Sequence, residues 1–232
     1  MESFERSASA KRVATVLNTV SIALFLVMWF PIGNGLHEVL IVFLFVLPLV
    51  GVGLVALSKG VFRFGGLRKD REPSVSIVFI VCGTALFIQA LRDVNIFWFV
   101  LTPIVAPVLI LGLLITVTIV AADSRTRDGI WAQVWLVATM YSLGAVIEAN
   151  RYFDAAAPKV FPVEVLGQHC NSSARGPTLC YVHVIPWGPF SQANDVRVPT
   201  DLYDSVSSGQ TVCIDLHPGA LSIAWYTANL CR

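Results

Sequence analysis

Five long apolar runs fill the first two thirds of this 232-residue chain, and a polar segment follows them. Each run is close to the ~20 residues that a helix needs to cross the ~30 Å apolar core of a bilayer. None of them has Lys, Arg, Asp or Glu in its interior. We predict five transmembrane helices at residues 13–30, 39–57, 75–91, 96–121 and 130–147.

The composition agrees with a membrane protein, since 56% of the residues are hydrophobic and 13% charged. The fourth run is longer than one straight crossing requires and contains Pro103 and Pro107. Proline removes a backbone donor and clashes with the preceding turn, so we expect this helix to be kinked or tilted.

The Lys and Arg residues between the runs predict the orientation of the chain. The N-terminal tail, residues 1–12, carries three of them, the second connection five and the fourth connection two, whereas the first carries none and the third only Arg92. Because basic residues stay on the cytoplasmic side, the N-terminus is predicted to be cytoplasmic. Five crossings then place residues 150–232 on the other face of the membrane, and a bacterial inner membrane is the expected location.

From residue 160 the pattern changes to the alternation typical of β-strands. Strands are predicted at residues 160–166, 178–185, 195–198, 211–216 and 222–227, with one helical turn at 199–206 capped by Thr200. Residues 217–220, His-Pro-Gly-Ala, are expected to form a tight reversal. We predict a small all-β barrel or sandwich, similar in size to an OB or SH3 domain.

Four of the five cysteines lie in this polar segment, and their number and predicted exported location indicate two disulfides. Three pairings are possible, of which we favour Cys170–Cys180 and Cys213–Cys231. So small a domain has a thin core, and cross-links of this kind stabilise it. The fifth cysteine, Cys82, is predicted to be a small apolar residue of the third helix.

Three histidines lie close in sequence to these cysteines, and they are the weak candidates for a copper or zinc site: His169, His183 and His217. Oxidised cysteines cannot bind metal as thiolates, so we predict no metal and no cofactor. The cysteines also lack the Cys-x-x-Cys spacing of thiol oxidoreductases. No catalytic signature appears, and no catalytic residues are predicted.

The second connection concentrates positive charge, with interleaved Phe62, Phe64 and Leu67. We predict a basic loop that faces the lipid of the cytoplasmic leaflet, made by Lys59, Arg63, Arg68, Lys69 and Arg71. The net charge of +1 argues against a nucleic-acid partner.

These features together favour a multi-pass membrane protein that displays an extracytoplasmic β domain for protein interaction or assembly. Trp187 and Trp225 are aromatic candidates for contact with a protein partner, which the sequence does not identify. Packing in the core of the β domain is the alternative for both, and it is at least as strong for Trp225, which lies in a predicted strand. Two alternatives stay open: a subunit of a transporter or channel complex, and a metal- or thiol-handling envelope protein. The neutral polar residues of the runs more often connect helices than line a transport path.

Overall fold

The structure is a computed structural model of the full chain. It describes residues 2–28, 30, 34–58, 60–64, 73–96, 101–123, 131–171 and 178–231. The chain divides into two compact units. The first comprises residues 1–92 and 104–148, and the second comprises residues 93–103 and 149–232.

The first unit is built from long helices. They are α1 (Glu2–Val27), α2 (Asn34–Leu57), α3 (Ser76–Asp93), α4 (Leu101–Ala122) and α5 (Trp131–Tyr152). In the described part of the chain, four of them (α1, α2, α4 and α5) are long and apolar enough to cross a membrane, whereas the apolar part of α3 is shorter, at Ser76–Arg92. Length and composition therefore support four candidate spans, and the prediction of five is too high by this criterion.

The helices differ from their predicted boundaries. Helix α2 begins at Asn34, five residues before its predicted start, and α5 continues to Tyr152, five residues past its predicted end. Helix α1 begins at Glu2, so most of the predicted tail is helical.

Helix α4 begins at Leu101, because Asn95–Ile96 form a short strand, β1, where the sequence predicted the start of the helix. Pro103 is therefore in the first turn, where the missing backbone donor costs little, and Pro107 lies further inside the helix.

Contacts within the first unit give the relative directions of α1, α2, α3 and α5. Asn18 of α1 bonds to Ser74 and Val78 beside the start of α3, and Met28 just beyond α1 accepts a bond from Gln89 near the end of α3. The order of these contacts makes α1 and α3 parallel.

The α3–α5 pair is parallel for the same reason. Gly83 lies against Tyr141, and four residues later Phe87 lies against Gly144. Helix α2 runs antiparallel to α3. Gly51 of α2 lies beside Val75 at the start of α3, whereas the earlier residue Phe45 accepts a hydrogen bond from Tyr141, which lies beside Gly83 in the middle of α3.

Helix α3 is the most enclosed of the five. Among its described side chains only Ile80, Leu91 and Arg92 are exposed. The other helices carry many exposed large apolar side chains, of which α4 contributes Val105, Leu109, Ile110, Leu113, Leu114 and Val117. The first unit therefore has an apolar exterior around a central α3.

The second unit is a nearly closed antiparallel β-barrel. Its further strands are β2 (Lys159–Asn171), β3 (Leu179–Val184), β4 (Asn194–Val198), β5 (Thr211–His217) and β6 (Trp225–Leu230), with a short helix α6 (Thr200–Ser205) between β4 and β5. The strand order is β1-β6-β5-β2-β3-β4. Strand β2 pairs with two strands in turn: its first half pairs with β5 and its second half with β3. The register of the β2–β3 pairing is irregular between Val165 and Gly167.

The alternation of β3 is confirmed. Cys180, Val182 and Val184 are buried, and Tyr181 and His183 between them are partly exposed. The core of the barrel also contains apolar side chains from β2, β4, β5, β6 and α6: Val163, Val165, Val196, Val198, Leu202, Val212, Ile214 and Ala228.

The last strand begins three residues later than predicted, at Trp225. The capping role predicted for Thr200 is wrong, because the N-cap residue of α6 is Pro199.

Both favoured disulfides are confirmed, at Cys170–Cys180 and Cys213–Cys231. Cys170 and Cys180 are directly opposite each other on β2 and β3. The second bridge joins β5 to Cys231, the residue just after β6. Cys82 is a free thiol buried inside the helical unit, as predicted.

Candidate functional site

Two of the three candidate histidines come together on the outer face of the barrel. Register places His183 of β3 opposite Asp195 of β4, and its Nδ1 is 2.9 Å from Asp195 Oδ1. His169 of β2 approaches the other oxygen of the same carboxylate, with Nε2 4.0 Å from Oδ2. Its ring also stacks on Tyr181. These four side chains form a partly hydrated polar face.

The third candidate, His217, has different neighbours. It ends β5, and its ring stacks on Trp225 with centroids 3.9 Å apart. Burial lowers the pKa of His217, and the carboxylates of Asp154 and Asp215 oppose this shift in part. Within the described ranges, no group of three His, Cys, Asp or Glu side chains is arranged to hold a metal ion. The three predicted histidines therefore do not form one cluster.

The end of α5 and the turn after β5 meet in a hydrogen-bonded junction inside the second unit. Asn150 is fully buried, and its side chain donates to the Ile223 carbonyl at 2.8 Å and accepts from the Leu221 amide at 2.9 Å. Gly219 in this turn has φ +75°, and an added Cβ would lie 2.5 Å from Asn150 Oδ1. The glycine of the predicted reversal is therefore required by both backbone conformation and space.

Asp154 completes this junction. Its Oδ2 accepts from the Gly219 amide at 2.9 Å and from Trp225 Nε1 at 3.0 Å. Burial acts to raise the pKa of Asp154, but these bonds and one from the Ala156 amide outweigh it, so the pKa is lowered. Neither Asn150 nor Asp154 was singled out from the sequence, since their partners lie about 70 residues away.

The two predicted contact tryptophans differ. The interpretation of Trp187 as a surface contact is wrong, because it is buried in the barrel core and its Nε1 donates to Asn194 Oδ1 at 3.0 Å. Its ring packs against those of Phe161, Phe190 and Tyr226. Trp225 is partly exposed, but its indole is engaged by Asp154 and His217. Both tryptophans therefore stabilise the barrel.

A cleft of about 940 Å³ opens where α6 meets the end of β6. Its lining residues come from β2, α6, β5 and β6 and the segments next to them: Val160, Pro199, Asp201, Leu202, Ser205, Cys213, Asp215, Ala228, Asn229, Leu230 and Cys231. We call it the seam cleft. Its size is in the range of small-ligand and peptide sites. No sequence pattern predicts this cleft, because it depends on how β6 and α6 meet.

Most of the predicted basic loop lies outside the described residues, namely Lys59, Arg68, Lys69 and Arg71. Arg63 is described, and its backbone bonds to Pro73 and Val75 next to the start of α3. Phe62 and Phe64 are buried in the helical core, so these two rings are not available to enter lipid.

Comparison of the chain with protein-family models, with curated proteins and with solved structures finds no match.

Proposed function

We propose that this protein is a five-span membrane anchor that displays its disulfide-linked barrel for protein interaction or assembly. The observation that carries the anchor is the apolar exterior of the helical unit, with Leu113 and Leu114 of α4 among its exposed side chains. Apolar surface costs roughly 25 cal/mol per Å² in water, and continuous patches of it mark contact with an apolar medium.

The direction of α3 supports a fifth crossing despite its shorter apolar part. Its 18 residues rise about 27 Å at ~1.5 Å per residue, close to the thickness of a bilayer core. It runs parallel to α1 and α5, as alternate crossings require. Because other helices enclose it, α3 does not need the strongly apolar surface of a lipid-facing helix.

An odd number of crossings puts the N-terminus and the barrel on opposite sides. The basic second connection favours a cytoplasmic N-terminus. Disulfides form on the oxidising side of a membrane, which favours an exported barrel. We therefore propose an extracytoplasmic barrel in a bacterial inner membrane.

Interaction is the function that we propose for the barrel because its surface combines a polar face with exposed apolar side chains. The polar face contains His169, His183 and Asp195, and Leu166 and Leu230 are about half exposed. Interfaces between proteins commonly have this mixture.

Two other functions stay as weaker proposals. A transporter subunit would need polar groups facing a path, whereas the hydroxyls of Ser21, Thr116 and Ser142 bond to carbonyls of their own helices. A metal-handling role would depend on the polar face of His169, His183 and Asp195 alone.

Site-specific photocrosslinking in living cells tests the proposed function. We would place a photoreactive phenylalanine analogue at Leu166 or Leu230 on the barrel and, as the control, at Leu114 on α4. We expect protein adducts from the barrel positions and lipid adducts from Leu114. Protein adducts from Leu114 only, with none from the barrel, would contradict the proposal.

A further inference from the structure

The outer edge of β6 is only partly covered. Strand β5 pairs along one side of β6, and on the other side β1 reaches only Trp225 and Tyr226. In the part of the chain that the structure describes, no strand pairs with that side from Thr227 to Leu230. Such an edge presents backbone donors and acceptors that a further extended segment can pair with.

Helix α6 lies close to β6, and β4 also approaches β6 without pairing with it. Leu202 of α6 is buried in the barrel core, which fixes the helix as one wall of the seam cleft. The disulfide Cys213–Cys231 ties the end of β6 to β5 and lies on the other wall. Helix α6 and the disulfide both restrain the end of β6. A strand edge that is already ordered loses less conformational entropy on binding a peptide than a flexible edge would.

The walls of the seam cleft carry negative charge and apolar surface. Asp201 and Asp215 line the cleft, and Asn229 Nδ2 donates to Asp215 Oδ2 at 3.0 Å. Val160 and Leu230, both about half exposed, add apolar surface. None of the described residues that line the cleft is Lys or Arg.

From these features we propose that the seam cleft binds an extended, basic peptide segment of a partner protein, which adds as a strand to the free edge of β6. Backbone pairing supplies the geometry, and the alternating side chains of the segment meet the two aspartates and the apolar surface. The inference rests on the proposed function, because it assumes that the barrel is displayed for protein contact.

The test uses the full-length protein in detergent micelles and a fluorescent peptide, acetyl-Lys-Val-Lys-Val-Lys-amide. We expect binding with a Kd of roughly 100 μM, as suits a short edge contact. The matched peptide with Glu in place of Lys, and the Lys peptide with a methylated central backbone nitrogen, should both bind at least about tenfold more weakly.

Reversal of a charge in α6 tests whether the Lys peptide binds in the seam cleft. Asp201→Arg on the cleft wall should weaken binding of the Lys peptide about tenfold, since it replaces an attraction by a repulsion. Glu164→Arg is the matched control, because Glu164 is an exposed acidic residue of β2 that does not line the cleft. The control should change affinity less than about twofold at 0.15 M salt, where screening acts over ~8 Å. The barrel melting temperature of each variant shows whether it is folded.

Several results would overturn the inference: no binding of the Lys peptide, equal binding of the Glu peptide, or equal loss with both Arg variants. Crosslinking of Leu230 to a second copy of this chain would assign the edge to self-association and would also overturn it. If barrel positions crosslink to a partner protein and the Lys peptide does not bind, the proposed function stands and only the seam inference fails.

Discussion

Replacement of Gly219 by alanine should destabilise the barrel in two ways, through backbone strain and through steric conflict, and comparison with Gly209 separates the two effects. It has φ +75°, and an added Cβ would lie 2.3 Å from the Ile223 carbonyl oxygen. Gly209 has φ +86° with nothing within 4 Å, so it shares the strain without the conflict. We expect Gly219→Ala to destabilise the barrel by about 3 kcal/mol and Gly209→Ala by about 1 kcal/mol.

Thermal unfolding of the full-length protein, followed by near-ultraviolet circular dichroism, measures this difference. Trp187 and Trp225 both lie in the barrel and report on it. Equal melting temperatures for the two alanine variants would show that the turn is not packed against Asn150.

The stability of the barrel should depend on pH through His217 and Asp154. The pKa of His217 is lowered by burial, so its contribution is complete above the unfolded value of about 6.5 and is lost as pH falls through the folded pKa. The pKa of Asp154 is also lowered, so its contribution is complete above about 4 and is lost at more acid pH.

Melting temperatures between pH 8 and pH 2 test this pair. His217→Gln should remove the loss that begins just below pH 6.5, and Asp154→Asn should remove the loss below pH 4. At neutral pH, Asp154→Asn should cost about 1 kcal/mol, because the carboxylate is partly hydrated and its bonds are only partly replaced. Variants with the pH profile of the unsubstituted protein would refute the role of the junction.

Local sequence patterns predicted individual residues well where the signal itself was local. The alternation around Cys180 and the pairing with Cys170 needed only the period of a strand and a short loop. Asp154 needed knowledge of Trp225, 71 residues away. Trp187 was misassigned because aromatic residues occur both at interfaces and in cores, and the sequence does not distinguish these environments.

At the scale of elements, the close approach of α3 and α5 depends on Gly144. An added Cβ there would lie 2.7 Å from the backbone nitrogen of Phe87 and 2.8 Å from the backbone carbon of Leu86. Backbone atoms cannot move aside as a flexible side chain can, so the two helices must separate. Small residues commonly allow such contacts between membrane helices.

We therefore expect Gly144→Ala to destabilise the helical unit by about 2 kcal/mol. Gly53→Ala in α2 is the matched control, since nothing lies within 4 Å of its added Cβ. It should be neutral or slightly stabilising, because alanine favours the helix. Unfolding in increasing fractions of denaturing detergent, followed by far-ultraviolet circular dichroism, measures both variants. The close packing of α3 on α5 would be disproved by equal midpoints.

Among the described residues from 159 onward, the observed strands agree in number with the predicted ones. Their boundaries differ where pairing with a neighbouring strand determines them. Strand β2 extends to Asn171 because β3 continues the ladder. Strand β1 has two residues and exists only through its pairing with β6. No local pattern can predict such a strand, and the sequence prediction placed Ile96 at the start of a helix and Asn95 in the connection before it.

At the scale of the whole molecule, hydropathy and helix direction give different answers to whether α3 crosses the membrane in the proposed anchor. A count by length and composition gives four candidate spans, whereas the five crossings that we propose rest on α3 being parallel to α1 and α5. Most described side chains of α3 are not exposed. In the proposed anchor, α3 would therefore contact other helices rather than lipid. The number matters, since four crossings put the barrel on the same side as the N-terminus and five put it on the opposite side.

Labelling of single cysteines in intact cells with a membrane-impermeant maleimide tests this most directly. In full-length protein carrying Cys82→Ala, we would compare Ala8→Cys in the exposed first turns of α1 with Ser207→Cys on the exposed barrel surface. Five crossings with a cytoplasmic N-terminus predict labelling at position 207 before permeabilisation and at position 8 only after it. Labelling of both positions under the same condition would contradict the five-span anchor.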